Sequence, residues 1–152
     1  MRCSGASPLV VAGGGGWHNE DLVERLNRLA GRGLVRRLGY VPAGTLPALY
    51  AGARAFAFPS FYEGFGLPVL EAAASGVPVL SSAGSAMAEV LGAEGVLVDP
   101  RDSPALAEGL RRLLEDDSLQ SRAQAAAADF GDRFSWRRCV ERTVALYREI
   151  TA

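Results

Sequence analysis

Short apolar runs recur along the chain and predict five β-strands, at residues 9–12, 35–41, 53–59, 77–81 and 95–98. The segments between and after these runs have the apolar spacing typical of helices, at residues 20–29, 45–51, 67–74, 85–91, 103–114, 118–129 and 135–150. Asn19 is the expected N-cap of the first helix. Ser103 and Pro104 read as an N-cap followed by a proline at the first helical position.

Strands that alternate with helices along a chain imply right-handed crossovers and a parallel sheet covered on both faces. After Asp99 and Pro100 no further strand is expected, and only helices follow. We therefore predict an α/β fold: a Rossmann-like parallel sheet of about five strands with flanking helices and extra C-terminal helices.

Composition narrows the class of protein further. The chain has 152 residues and is 49% hydrophobic and 22% charged, as in an ordinary globular protein. We expect one domain over residues 1–152. The 16 basic and 17 acidic residues leave a net charge of −1, which disfavours a nucleic-acid partner or a patch for anionic membranes.

No apolar run approaches the roughly 18 residues of a membrane span, and the first residues lack the apolar core of a signal peptide. A cytoplasmic protein without a membrane span is therefore predicted. Cys3 and Cys139 lie far apart, with no partners at metal-ligand spacing. This argues against both a disulfide framework and a zinc site.

Residues 59–82 carry the candidate chemistry. They comprise the end of an apolar run, a glycine-rich turn, a short helix starting near Leu67, and a second apolar run. Gly64 and Gly66 let the backbone approach a ligand closely, and Pro68 fits the first helical turn, where its missing N–H costs nothing. The free N–H groups of that turn then form an anion site suited to a phosphate.

Two carboxylates accompany this turn. Glu63 lies in the turn itself, and Glu71 lies about one turn into the helix. Because helical side chains lean towards the N-terminus, both carboxylates reach the space that the N–H groups face. Two acids would repel a phosphate, so their expected partners are hydroxyls. A phosphate flanked by hydroxyl-binding carboxylates indicates a sugar nucleotide.

This segment resembles the retaining GT-B glycosyltransferases of family 4, the glycosyl transferases group 1. Their signature of two glutamates reads here Glu63-Gly-Phe-Gly-Leu-Pro68, followed by Glu71-Ala-Ala-Ala-Ser-Gly-Val-Pro-Val79. Residues 37–42, 46–50, 96–100 and 134–136 also fit the C-terminal half of that family. The resemblance covers nearly everything from about Leu9 to Ile150.

The resemblance implies a role for each candidate residue. Glu63 would be the catalytic residue, bonding the transferred sugar and orienting it for front-face attack, and Glu71 would bind the ribose. Gly64, Phe65, Gly66 and Leu67 would form the donor-binding turn, with the N–H groups of Gly66 and Leu67 on the phosphate. The base would lie at Tyr40 and Val41, at the carboxyl end of a strand.

The donor implied is a nucleoside diphosphate sugar, UDP-, GDP- or ADP-linked, used without a divalent metal; the sequence has no Asp-x-Asp motif. The acceptor, a glycan, a lipid or a small molecule, would be held by an N-terminal domain that this chain lacks. The Gly-Arg and Lys that clamp the donor's pyrophosphate in the family are also missing. We therefore expect a donor-binding half, truncated at its N-terminal strand, that is inactive alone.

Alternatives remain open. The chain could be a non-catalytic nucleotide-binding or interaction module of the same fold, or half of a nucleotide-sugar epimerase. The glycine run at residues 13–16 does not match the G-x-G-x-x-G spacing of dinucleotide-binding folds, so it reads as a loop. Trp17 is expected to cover the sheet and His18 to belong to the loop before the first helix. The sequence does not identify the sugar, the base or the acceptor.

Overall fold

A computed structural model of the chain describes residues 8–16 and 19–151. The predictions on Cys3, Trp17 and His18 lie outside these residues. The chain divides into two compact units, Met1–Leu46 and Pro47–Ala152. Each unit is built from parallel strands and helices, which confirms the predicted α/β class.

The first unit contains two parallel strands and one helix: β1 (Leu9–Ala12), α1 (Glu20–Gly31) and β2 (Val35–Gly39). A short 3-10 turn, Ala43–Thr45, follows. Leu9 pairs with Val35 at the start of the ladder. Val35 is the one buried apolar side chain among the described residues of this unit. The unit therefore has almost no core of its own.

The second unit holds the remaining elements: α2 (Leu46–Ala51), β3 (Phe56–Phe58), α3 (Leu67–Ala74), β4 (Val79–Ser82), α4 (Ala86–Leu91), β5 (Val96–Val98), α5 (Ser103–Glu115), α6 (Asp117–Arg133) and α7 (Trp136–Ile150). A 3-10 turn, Gly92–Glu94, precedes β5. The three strands form a parallel sheet in the order β3-β4-β5. No helix in the described part of the chain is long and apolar enough to cross a membrane.

The core of the second unit surrounds the central strand. All four residues of β4 are buried, and Leu80 is fully enclosed. Apolar side chains of α3, α4 and α5 cover them, including Val69, Met87 and Leu113. Because the strands are parallel, their carboxyl ends lie at one edge, where ligands bind in open α/β sheets. The loop that follows β3 carries the signature residues at this edge.

The main correction concerns the sheet, which was predicted to be a single one of about five strands. The five strands exist, but they pair as a sheet of two and a sheet of three. An apolar run predicts that a segment becomes a strand because its side chains must be buried. Which strands share a ladder depends on contacts between distant segments, and the pattern of apolar residues does not encode these.

Strand bounds are corrected for local reasons. Residue 53 belongs to the end of α2, because the N–H of Ala53 donates to the carbonyl of Tyr50 at 2.9 Å. Val77 closes the end of α3 by donating to the carbonyl of Ala72 at 3.2 Å, so β4 starts at Val79. Gly39, with φ +65°, ends β2 ahead of residues 40 and 41.

One helix cap also differs from the prediction, and one is confirmed in position. The N-cap of α5 is Asp102, whose Oδ1 accepts a hydrogen bond from the N–H of Ala105 at 2.9 Å; Ser103 is the first helical residue. A carboxylate accepts from an N–H more strongly than a hydroxyl does, which favours the aspartate. Asn19 occupies the N-cap position of α1 without a side-chain cap bond.

Candidate functional site

The loop after β3 turns into α3 at Gly66, as the sequence predicts. Gly66 is the N-cap of α3 in a left-handed conformation, with φ 82° and ψ 49°. Its carbonyl accepts from the N–H groups of Val69 at 2.9 Å and Leu70 at 3.2 Å. Within the described residues, the N–H groups of Gly66 and Leu67 donate to no protein oxygen. Both are therefore available as donors to a ligand at the start of the helix.

Gly66 is also required by packing. A Cβ at this position would lie 2.6 Å from Cγ of Met87, which is fully buried in α4. The sequence explained this glycine by close approach to a ligand, and the structure adds a reason within the protein. A Cβ at Gly64 would meet no atom within 4 Å, so that position stays open to solvent or a ligand.

Glu71 projects from the first turns of α3 and is oriented by a tyrosine. The hydroxyl of Tyr50, in α2, donates to Oε2 of Glu71 at 3.1 Å. Tyr50 is only 9% exposed, and its ring packs edge-on against Phe56 of β3. Burial, reinforced by the hydrogen bond to Glu71, raises the pKa of Tyr50 to about 12. The phenol therefore stays protonated at neutral pH and remains a donor.

Glu63 lies in the loop and, unlike Glu71, is not oriented by a side-chain hydrogen bond among the described residues. Its side chain is half-buried, and among the described residues it accepts no hydrogen bond and forms no ion pair. The neighbouring Tyr62 is 86% exposed. Phe61 lies under the guanidinium of Arg101, which is 5.3 Å from the ring centroid. The Glu63 carboxylate thus keeps its full capacity to accept hydrogen bonds.

Phe65 packs within the protein. Its ring lies edge-on to Phe134, with ring centroids 5.9 Å apart, and the side chain is 43% exposed. Phe134 follows the last residue of α6. The ring of Phe65 therefore stabilises the loop after β3 against the segment between α6 and α7.

Tyr40 and Val41 belong to the first unit, and follow directly after the carboxyl end of β2. Tyr40 is 81% exposed and Val41 is half-buried. The other predicted residues, Glu63 to Leu67 and Glu71, lie together on one loop and helix of the second unit. The structure brings these six residues into a single local site.

Tyr50 is the functional candidate that the sequence reasoning missed. It is the fifth residue of α2, a short apolar helix in which a tyrosine is typical of the core. Its role depends on a hydrogen bond between α2 and α3, which joins residues 21 positions apart. A tyrosine in an otherwise aliphatic helix next to a candidate carboxylate motif was the available signal.

Comparison with known proteins identifies the family of the chain. The sequence model described as glycosyl transferases group 1 matches residues 3–116. Over 141 residues the chain is 43% identical to O-antigen chain mannosyltransferase B of Escherichia coli, covering 93% of this chain and 37% of that protein. The chain spans about a third of the length of the curated relatives it matches.

Solved structures show the same fold. HepE of Anabaena, crystallised with UDP and glucose, superposes with a TM-score of 0.80 at 24% identity, over 93% of this chain and 40% of HepE. The C-terminal domain of LpcC, a glycosyl transferase group 1 protein of Francisella tularensis, gives a TM-score of 0.69 at 26% identity, over 83% of this chain and 68% of that domain.

Proposed function

Since the chain belongs to the glycosyl transferases group 1 family, we propose that it forms the donor-binding part of a retaining glycosyltransferase. The ligand is a nucleoside diphosphate sugar. The observation that carries this proposal is the start of α3. There, two N–H groups without a partner among the described residues share one loop and helix with two carboxylates in distinct surroundings.

The N–H groups of Gly66 and Leu67 bind the phosphate. A helix N-terminus carries a partial positive charge, which stabilises an anion by about 0.3–1 kcal/mol in exposed sites. The left-handed Gly66 lies at the start of the helix, where these groups face outwards, and Met87 leaves no room for a side chain at this position. Gly64 leaves the approach open.

Glu71 binds the ribose. Tyr50 donates to Oε2, which orients the carboxylate and leaves Oε1 to accept from the ribose hydroxyls. A hydrogen bond to a charged group contributes about 1.5–3 kcal/mol. Because the ribose is common to UDP, GDP and ADP, a pre-oriented carboxylate at this position suits a donor of any of these bases.

Glu63 contacts the transferred sugar. No described residue engages its carboxylate, so its lone pairs are free for sugar hydroxyls. Holding the sugar in place lets the acceptor attack the anomeric carbon from the face that the diphosphate leaves, with retention of configuration.

Transfer itself needs more than this chain supplies. Donor and acceptor held in near-attack geometry lower a barrier by up to about 7–11 kcal/mol. The relatives are about three times longer than this chain, and we assign the acceptor and the rest of the cleft to the part they have in addition. The 152-residue chain is therefore expected to bind donor without making a glycoside.

Titration calorimetry with UDP, GDP, ADP and their sugar conjugates tests this function. We expect dissociation constants between micromolar and millimolar, because a single helix terminus must hold the diphosphate. These correspond to binding free energies of about −4 to −8 kcal/mol. UDP-glucose is a suitable probe because a protein of the same fold was crystallised with it. No binding of any nucleotide sugar would contradict the proposal.

Product analysis separates the remaining possibilities. A glycoside made by this chain alone would contradict its assignment as the donor half. If an N-terminal half of a relative is supplied, transfer supports the glycosyltransferase assignment. Retained binding without transfer would indicate a nucleotide-binding module instead, and release of a free epimeric sugar would indicate an epimerase.

A further inference from the structure

Three serine hydroxyls form a series of hydrogen bonds that ends beside Glu63. Ser85 Oγ donates to the carbonyl of Ser82 at 3.1 Å. Ser82 Oγ donates to the carbonyl of Ser60, and Ser60 Oγ donates to the carbonyl of Tyr62 at 3.0 Å. Each bond joins a side chain to the backbone, so the series constrains the path of the loop.

The middle residue of the series, Ser82, lies in the sheet. Ser82 is the last residue of β4, is 1% exposed, and pairs with Val98 of β5. The N–H of the next residue, Ala83, donates to the carbonyl of Val98 at 2.8 Å. A hydroxyl buried this deeply needs a partner, and the carbonyl of Ser60 provides it. The central strand thereby holds the first residues of the loop after β3.

The series ends on the peptide unit that Glu63 belongs to. The carbonyl of Tyr62 and the N and Cα atoms of Glu63 lie in one planar peptide group. The bond from Ser60 Oγ to that carbonyl therefore orients the backbone from which the Glu63 side chain projects. The Ser82 bond does the same for the peptide group that joins Ser60 and Phe61.

We infer that Ser60 and Ser82 are positioning residues for Glu63, an inference that rests on the proposed function. The Glu63 carboxylate has no partner among the described residues, so the position of its backbone decides from where the side chain reaches a ligand. A loop held at residues 60 and 62 fixes that starting point, which lowers the entropy lost when the carboxylate binds the sugar.

If these serines had a purely structural role, their substitution would weaken the binding of every ligand equally, or would lower only the free energy of unfolding. A positioning role instead changes the affinity for the nucleotide sugar relative to the free nucleotide. Calorimetry measures both, with whichever pair the unchanged chain binds most tightly: UDP and UDP-glucose, GDP and GDP-mannose, or ADP and ADP-glucose. Ser60→Ala is the main variant, because Ser60 is only half-buried and its substitution spares the sheet.

We expect Ser60→Ala to weaken binding of the nucleotide sugar about three- to tenfold, the effect of one intramolecular hydrogen bond, with free nucleotide unchanged. Ser60→Thr keeps the hydroxyl and should restore the affinity. Ser121→Ala is the matched control, since it removes a hydroxyl bond to the carbonyl of Asp117, at 3.1 Å on exposed α6. Ser82→Ala should give the same relative loss, together with a lower free energy of unfolding.

A double-mutant cycle completes the test. In a Glu63→Ala background, Ser60→Ala should cause no further loss of nucleotide-sugar affinity. An equal loss in that background, or equal loss for both ligands, would overturn the inference. So would unchanged affinities in both Ser60→Ala and Ser82→Ala, with the proposed function intact. If the unchanged chain bound no nucleotide sugar, the proposed function would fail first and this inference with it.

Discussion

The carboxylates of Glu71 and Glu63 share one loop and helix but are held by different means. Glu71 projects from a regular helix, and a buried tyrosine hydroxyl donates to one of its oxygens. Glu63 projects from a loop, and its carboxylate has no partner among the described residues. Serine bonds to the backbone on its N-terminal side are what hold it.

This difference fits the two parts of the proposed ligand. The ribose is the same in UDP-, GDP- and ADP-sugars, so a carboxylate oriented by one fixed hydrogen bond suits all three. The sugar varies between donors, and a carboxylate held only through its backbone can take more than one rotamer. We therefore expect Glu71 to determine affinity for any nucleotide, and Glu63 to act on the sugar alone.

Gly66 joins the two regions, and its substitution should have the largest effect. Gly66→Ala places a Cβ at φ 82° and 2.6 Å from Met87 Cγ. Strain and overpacking together should lower the free energy of unfolding by about 2–4 kcal/mol. Urea denaturation measures this. Gly64→Ala is the control, and should change it by less than about 0.5 kcal/mol because that Cβ meets no atom within 4 Å.

Glu71→Ala tests the assignment of the helix carboxylate to the ribose. It should weaken binding of free nucleoside diphosphate and of nucleotide sugar by about 1.5–3 kcal/mol each, because both contain the ribose. Calorimetry with UDP, GDP and ADP checks this. A matched control is Glu115→Ala on α5, where the carboxylate binds only Arg111 at the surface and should not affect either ligand. Unchanged nucleotide affinity in Glu71→Ala would remove the ribose assignment.

Tyr50→Phe tests the support of Glu71 and should have a smaller effect. Loss of one orienting hydrogen bond should weaken nucleotide binding by about 0.5–1.5 kcal/mol. The loss should disappear in a Glu71→Ala background. A similar loss in that background would mean that Tyr50 acts by some route other than Glu71.

Tyr50 also gives a pH dependence with a definite sign. Its pKa rises from 10.0 to about 12 on folding, because burial and the Glu71 carboxylate disfavour the phenolate. The protonated phenol of Tyr50 therefore makes its full contribution to the free energy of unfolding below pH 10. That contribution is lost as the pH rises from 10 towards 12. Denaturation across this window should show a decline that Tyr50→Phe removes. A decline of equal size in Tyr50→Phe would contradict the assignment to this phenol.

Much of the fold and of the site could be predicted from the sequence. The helix of residues 67–74 was predicted with its observed bounds because proline and glycine fix its start and end locally. The same holds for the loop position of Glu63. Local signals of this kind depend on residues only a few positions apart, and the sequence displays them directly.

The parts that could not be predicted depend on distant residues. Tyr50 reaches Glu71 across 21 positions, and Ser82 reaches Ser60 across 22. The division of five strands into two sheets has the same cause. Apolar patterns predict that these segments form strands or helices, but not which neighbour each one meets. The apolar side of α7 is exposed, with Trp136 82% and Ile150 69% exposed.

The division of labour between the two carboxylates is tested most directly by Glu63→Ala. Calorimetry compares this variant with the unchanged chain on a free nucleotide and on its sugar conjugate. The account predicts an affinity for free nucleotide within about twofold of the unchanged chain, and a loss of about 1.5–3 kcal/mol for the nucleotide sugar. Equal losses for the two ligands would contradict it.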